Sequence, residues 1–265
     1  MYKKIAIIGG GNLGMAIADG LLQSKFIRPA ELIITRRNPA ALKKFTEKGC
    51  TVHSDNKKAV SAAEVILLAV KPYNYAAVLA EIKPMLSPGK KLLVSVITGV
   101  WINDLQKAIG KPVPVIRAMP NTAIAIQQSM TCLAHKNATT AQVDYVKNLF
   151  DKLGVSVIID ESLMDAATVL GACGTAYAMR YIRANIQGGI EIGFDAATAT
   201  LIAAQTVKGA SALLLEKGTH PEQEIDRVTT PRGCTIAGLN EMEHQGFSSS
   251  LIRGVVTSYK KIRQD

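Results

Sequence analysis

In the stretch IAIIGGGNLG, the glycines at 9, 11 and 14 stand in G-x-G-x-x-G register, directly behind a β-branched run and ahead of a helical pattern. Each has its own task in that setting. Gly9 permits the tight turn, Gly11 lets a pyrophosphate approach the backbone, and Gly14 lets helix and strand pack closely. The helix that follows points its free N–H groups and the positive end of its dipole at the phosphates. A glycine-rich connection without a ligand is the alternative reading. About twenty residues on, NAD binders usually place a carboxylate against the ribose hydroxyls. Here the chain reads IITRRN, with no acid at Thr35, Arg36 or Arg37. Guanidiniums at that place suit a 2′-phosphate, which favours NADPH with NADH as the alternative; one of the pair can equally be a solvated loop residue.

A second group of chemistry-bearing residues is RVTTPRGCTIAGLNE, residues 227–241. The chain leaves one helix through a proline-containing turn and enters another, with Thr235 expected as N-cap. Backbone N–H groups in such a turn, backed by a helix N-terminus, form an anion-binding nest, and the hydroxyls of Thr230 and Thr235 add donors. An ordinary helix–turn–helix connection capped by threonine is the alternative. His53, His135, His220 and His244 lie outside both groups and read as surface or capping residues. Cys50, Cys132, Cys173 and Cys234 are scattered singly, which gives neither a metal site nor a disulfide framework.

The elements that must position these residues follow from the hydrophobic pattern. KKIAIIG, ELIIT, VILLAV, KLLVSVI, VPVIRAM, MTCLAH and VSVII read as strands. Helical segments alternate with them, such as NPAALKKFTEKG, with Asn38 as cap, Pro39 in the first turn and Gly49 at the end. This alternation predicts an α/β fold with a mostly parallel, doubly wound, Rossmann-like sheet. After Ile159 the strand signal stops, and an Ala-rich all-α region follows, with caps expected at Ser162 and Asp195 and stops near Gly193, Gly218 and Gly246. The expected organisation is a dinucleotide-binding domain over residues 1–160 and a helical domain over residues 161–265. Helices after Ser162 and Asp195 are apolar on more than one face, and a hundred-residue domain offers little interior for them, so a homodimer is expected, with a tightly packed monomeric bundle as the alternative.

With 265 residues and 48% hydrophobic residues the chain can build a proper core. No run of about eighteen uninterrupted apolar residues occurs, and the N-terminus lacks a signal-peptide pattern, so the expectation is a cytoplasmic protein with no membrane partner. The formal net charge is +10, but the basic residues are dispersed and aromatics are only 5%. That distribution argues against nucleic acid and for anionic small molecules.

AVKP (Ala69, Val70, Lys71, Pro72), MPNT (Met119 to Thr122), the N-terminal glycines and DRVTTPRGCTIAGL occur in one order along the chain. This ordered set resembles the delta-1-pyrroline-5-carboxylate reductases over essentially the whole length. The resemblance implies a helical dimerisation domain, dimers that can build rings, and reduction of the cyclic imine 1-pyrroline-5-carboxylate to L-proline by NAD(P)H in the last step of proline synthesis. It also implies cofactor contacts at Ile8, Gly9, Gly10, Gly11, Asn12 and Leu13, at Thr35 and Arg36, at Asn56, and at Ala69 to Pro72. Substrate contacts are implied at Thr230, Gly233, Cys234 and Thr235, with Thr235 as the catalytic hydroxyl and Glu161 as a further pocket residue; no metal is implied.

The chain departs from the family's usual wording in three places: GACGTAY for SGSGPAY, MPNTA for MPNTP and PRGCT for PGGTT or PGGAT. The last puts Arg232 where a glycine is usual. Arginine at positive φ costs on the order of 1 kcal/mol, so either the turn differs locally or φ at 232 is negative; with a negative φ the guanidinium turns to solvent, the favoured reading, or folds inward to pair with the substrate carboxylate. The competing functional readings are a related NADPH-dependent imine reductase, a hydroxyacid dehydrogenase, and a non-catalytic dinucleotide-binding protein. MDAATVLGACGTAYAMR lacks the lysine on which the hydroxyacid enzymes usually rely, which counts against them.

Overall fold

The computed structural model describes residues 2–263. Its elements run β1 (Ile5–Ile8), α1 (Asn12–Gln23), β2 (Leu32–Thr35), α2 (Lys43–Glu47), β3 (Thr51–His53), α3 (Asn56–Ala62), β4 (Val65–Leu68), α4 (Tyr75–Ile82), β5 (Leu92–Ser95), α5 (Ile102–Ile109), β6 (Val115–Met119), β7 (Ser129–Lys136), α6 (Thr140–Asp151) and β8 (Gly154–Ile158). They continue with α7 (Met164–Ala167), α8 (Gly174–Glu191), α9 (Ala196–Lys217), α10 (Pro221–Arg227), α11 (Cys234–His244) and α12 (Phe247–Ile262). Among the described residues the strands form one sheet in the order β3-β2-β1-β4-β5-β6-β7-β8. Pairing is parallel except between β6 and β7.

Side chains alternate across this sheet, so β1, β2, β4, β5, β6 and β7 each feed two cores. Ile5 and Ile7 join the cluster containing Ile17 and Leu21 of α1, Phe45 of α2 and Leu149 of α6. Ala6 and Ile8 join the opposite cluster with Val60 of α3, Leu79 of α4 and Leu105 of α5. Burial on both faces explains why these strands read as unbroken apolar runs rather than as alternating ones, whereas β8 exposes Val155, Val157 and Ile158. β3 is absent from the sequence expectation because Thr51–His53 offers three partly solvated residues and no apolar run.

The chain divides into two compact units, Met1–Ala172 and Cys173–Asp265. The helical cap expected at Ser162 belongs instead to Asp160, whose carboxylate accepts from Ser162 N at 2.8 Å. An aspartate reaches the N–H two residues ahead, which is what an N-cap needs. Asp195 caps α9 as expected, accepting from Ala197 N and Thr198 N, and Gly218 closes that helix in the left-handed conformation. His220 is a capping residue, its Nδ1 accepting from Glu222 N.

Within the second unit α9 buries only Ala199 and Ala203, and leaves Leu201 70% and Leu215 84% exposed. It is also the one described helix long and apolar enough by composition to span a membrane. Polar residues such as Gln205 and Lys208 interrupt it, so it never formed an uninterrupted apolar run. Large exposed aliphatics on a long helix call for a covering surface. If a second copy supplies it, sedimentation of dilute protein will show no folded monomer; a compact, active monomer would contradict this.

Candidate functional site

β1 and β4 are neighbours in space, and helices on opposite faces of the sheet meet at that switch point. In open α/β sheets the crevice at the carboxyl edge of such a point receives ligands. The glycine turn stands there. Gly9 has φ +108°, and a Cβ on it would lie 2.6 Å from the Ala69 carbonyl oxygen. A Cβ on Gly14 would collide with the Gly9 carbonyl oxygen, whereas one on Gly11 would meet nothing within 4 Å. Two of the glycines therefore make room for the protein's own backbone, and the third leaves room outside it. Gly11 is the N-cap of α1, and no side chain caps that helix. With Gly11 and Asn12 exposed, the first turn presents itself to solvent as an uncapped anion site.

Hydrogen bonds bring Thr35, Arg36 and Ala69 to this turn. Gly9 N and Gly10 N both donate to Thr35 O, at 3.2 and 2.7 Å, and Ala69 N donates to Ile8 O at 2.8 Å. The Arg36 guanidinium donates from Nη1 to Gly10 O at 3.0 Å, while Arg37 is exposed. The two arginines, equivalent in sequence, are thus separated: Arg36 is held beside the turn. Lys71 precedes the short helix Pro72–Asn74 and is exposed at the same edge, since β1 and β4 run parallel. Asn56 opens α3 with its Nδ2 on Glu81 Oε2 at 2.9 Å, and Asp55 caps that helix. Asn121 of MPNT accepts from Ala123 N at 3.0 Å and donates to Gly171 O at 3.2 Å, tying that motif to the π-helical turn Thr168–Cys173.

In the second unit the residues of TTPRGCT make a tight turn closed by Gly233 N on Thr230 O at 2.9 Å. Pro231 takes the second position and Arg232 the third, with φ +60°. Of the two expectations for Arg232, the negative φ does not hold. A proline followed by positive φ is the pattern of a type II turn. The following glycine cannot take over that conformation, because Gly233 is extended (φ −74°, ψ 162°) as the N-cap of α11. Gly233 is itself required for space, since a Cβ there would stand 2.5 Å from Thr230 Oγ1. Arg232 is exposed, as expected. Thr235 is not the N-cap; Gly233 is, two residues earlier, and no side chain caps the helix. Thr235 is the second residue of α11, half-buried, and Cys234 the first, exposed.

Glu161 lies in the first unit with its carboxylate engaged: Oε1 accepts from Ile102 N at 2.7 Å and from Arg117 Nη1 at 3.3 Å. Arg117 is the residue that sequence reading missed. It is 0% exposed, on β6, in a strand that otherwise reads as apolar. Its Cζ stands 5.3 Å from the Trp101 ring centroid, a cation–π contact. Its Nε and Nη2 are buried with no hydrogen-bond partner among the described residues, which costs about 1–3 kcal/mol per group. The one sequence signal was an arginine inside VPVIRAM; its partner stands 44 residues away and is visible only in the fold.

A doubly wound sheet with an uncapped, glycine-lined helix N-terminus at its switch point defines a dinucleotide-binding protein. Residues 4–99 match the family described as "NADP oxidoreductase coenzyme F420-dependent", which places that region in the oxidoreductase class. Residues 161–265 match "Pyrroline-5-carboxylate reductase dimerisation". Pyrroline-5-carboxylate reductase 2 of Dictyostelium discoideum is 40% identical over 98% of this chain and 92% of its own. Pyrroline-5-carboxylate reductase 1 of the same organism is 45% identical over 97% of this chain, which spans about half (49%) of that relative's length. Among solved structures, the Coxiella burnetii pyrroline-5-carboxylate reductase superposes with a TM-score of 0.93 at 27% identity, covering 99% of this chain and 98% of that one. The Plasmodium falciparum pyrroline carboxylate reductase with NADP bound gives 0.88 at 26% identity, covering 98% and 97%. The chain belongs to the pyrroline-5-carboxylate reductase family. Members of that family are NAD(P)H-dependent oxidoreductases of the last step of proline biosynthesis. The match to the dimerisation region supports oligomerisation, and it contains the whole of the exposed α9.

Proposed function

We propose that this chain reduces 1-pyrroline-5-carboxylate to L-proline with NADPH as the preferred reductant. The observation that carries the reading is the start of α11. A helix of eleven residues begins behind a closed turn with no side chain on its first N–H groups, as a carboxylate-binding nest requires. Residues Thr230 to Thr235 hold the substrate carboxylate there, and the Thr235 hydroxyl donates a hydrogen bond to the lone pair that forms on the ring nitrogen as hydride reaches the imine carbon. Bound NADPH supplies the hydride for the imine carbon. A protonated imine is already electrophilic, so the protein needs chiefly to bind and orient, and the chemistry asks for no histidine or carboxylate base. The glycine cradle fits the cofactor because the space beside Gly11 is open. Ile8 to Gly14, Thr35, Arg36, Asn56 and Ala69 to Pro72 form the cofactor side. A cytoplasmic location and rings built from dimers belong to the same reading.

The test is the absorbance of NADPH with and without 1-pyrroline-5-carboxylate. Substrate-dependent loss of the band supports the proposal, and an unchanged band refutes it. Thr235→Ala is expected to lower kcat/KM for the imine about fivefold or more, the scale of one hydrogen bond. Arg232→Gly is expected to leave KM for the imine within about threefold, because the exposed guanidinium is not needed by the nest. A rise of about tenfold in that KM would show that Arg232 holds the carboxylate.

A further inference from the structure

We propose that Arg117 and Glu161 are a positioning pair for the reduction, fixing the segment from Val96 to Ile102 at the carboxyl edge of the sheet. The effect on turnover rests on the function proposed above; the effect on the segment does not.

An ion pair whose arginine is fully buried is a poor source of stability, and replacing both partners by apolar residues of similar size is commonly neutral or better. Arg117 is poorer still, because Nε and Nη2 have no partner. What the pair does achieve is directional. Glu161 Oε1 binds two donors at once, Arg117 Nη1 and the backbone N–H of Ile102, the first residue of α5. The guanidinium in turn lies against Trp101, the N-cap of that helix. The other end of the segment is fixed by the sheet, where Val96 N donates to Leu68 O at 3.0 Å. Between these anchors Thr98, Gly99 and Trp101 are exposed, and Gly99 has φ +75° and open space beside it. β5 is parallel to β4 and β4 to β1, so this exposed tip lies at the same edge as Ala69 to Pro72 and the glycine turn. The pair therefore sets where the tip stands beside the dinucleotide edge. Glu161 acts on the reaction through the Ile102 amide and Arg117, without touching substrate.

The test uses the double variant Arg117→Met/Glu161→Leu in the full chain. Its melting temperature is expected to stay within about 3 °C of wild type. Exchange of the Ile102 amide is expected to accelerate about tenfold or more, and kcat to fall about tenfold. Unchanged Ile102 protection, or wild-type kcat at retained stability, overturns the proposal. Should the double variant fail to fold, Glu161→Gln and Glu161→Ala decide it. Gln keeps an acceptor for Ile102 N, so Glu161→Gln is expected to keep Ile102 protection and imine KM near wild type, while Glu161→Ala loses the protection. A rise of about tenfold in imine KM for Glu161→Gln would show that the carboxylate binds substrate, and would overturn the positioning role. Failure of the wild-type protein to reduce the imine would refute the functional reading alone, because Ile102 exchange is read without turnover.

Discussion

Gly11→Ala is expected to leave the melting temperature within about 1 °C of wild type while raising the NADPH dissociation constant about tenfold or more. The two effects separate because of where the new methyl group goes. It meets no protein atom within 4 Å, and the backbone at Gly11 (φ −81°, ψ −169°) suits any residue. The space it fills is the space through which, in the proposed reading, a pyrophosphate would reach the uncapped first turn of α1. Gly14→Ala is the internal contrast. There the methyl group runs into the Gly9 carbonyl oxygen, so α1 must move away from β1 at a cost of about 1–3 kcal/mol in stability. Thermal melts and NADPH fluorescence titrations of both variants check this. A Gly11→Ala protein that binds NADPH as tightly as wild type would remove the glycine turn from the cofactor site.

Arg36→Asp is expected to weaken NADPH by about 1.5–3 kcal/mol, roughly tenfold to over a hundredfold, and NADH much less. Arg36 is anchored on Gly10 O, so its guanidinium already stands beside the turn that would hold the pyrophosphate. Little further side-chain entropy is lost when it takes a 2′-phosphate. An aspartate at the same place instead repels that phosphate and can accept from ribose hydroxyls. Arg37→Asp is the control, since Arg37 is exposed and reads as the solvated member of the pair. Dissociation constants for both cofactors decide the matter; equal losses for NADPH and NADH would show that Arg36 does not read the phosphate.

Much of this architecture was legible in the chain because its signals are local. β-branched runs with Gly, Pro and Asn punctuation gave seven strands, and GGGNLG gave the switch-point turn, because a tight turn and a close helix–strand contact leave glycine little competition. What escaped depended on tertiary context or on a shift of two positions along the chain. β3 is three residues long and half-solvated. The N-cap of α11 fell on Gly233 rather than Thr235, since the turn closes earlier and Thr230 crowds any side chain at 233. Positive φ is costly for an arginine, yet Pro231 and the extended Gly233 leave the left-handed conformation nowhere else to go. Arg117 escaped because burial of a charge inside an apolar strand has no sequence signature without its partner Glu161 and the Trp101 face.

The most direct measurement of the central claim is the amount of L-proline formed per NADPH consumed when purified protein meets 1-pyrroline-5-carboxylate. A ratio of one, lost in parallel with NADPH binding in Gly11→Ala, is the predicted result. NADPH consumption without proline, or no consumption by protein that binds NADPH normally, would contradict it.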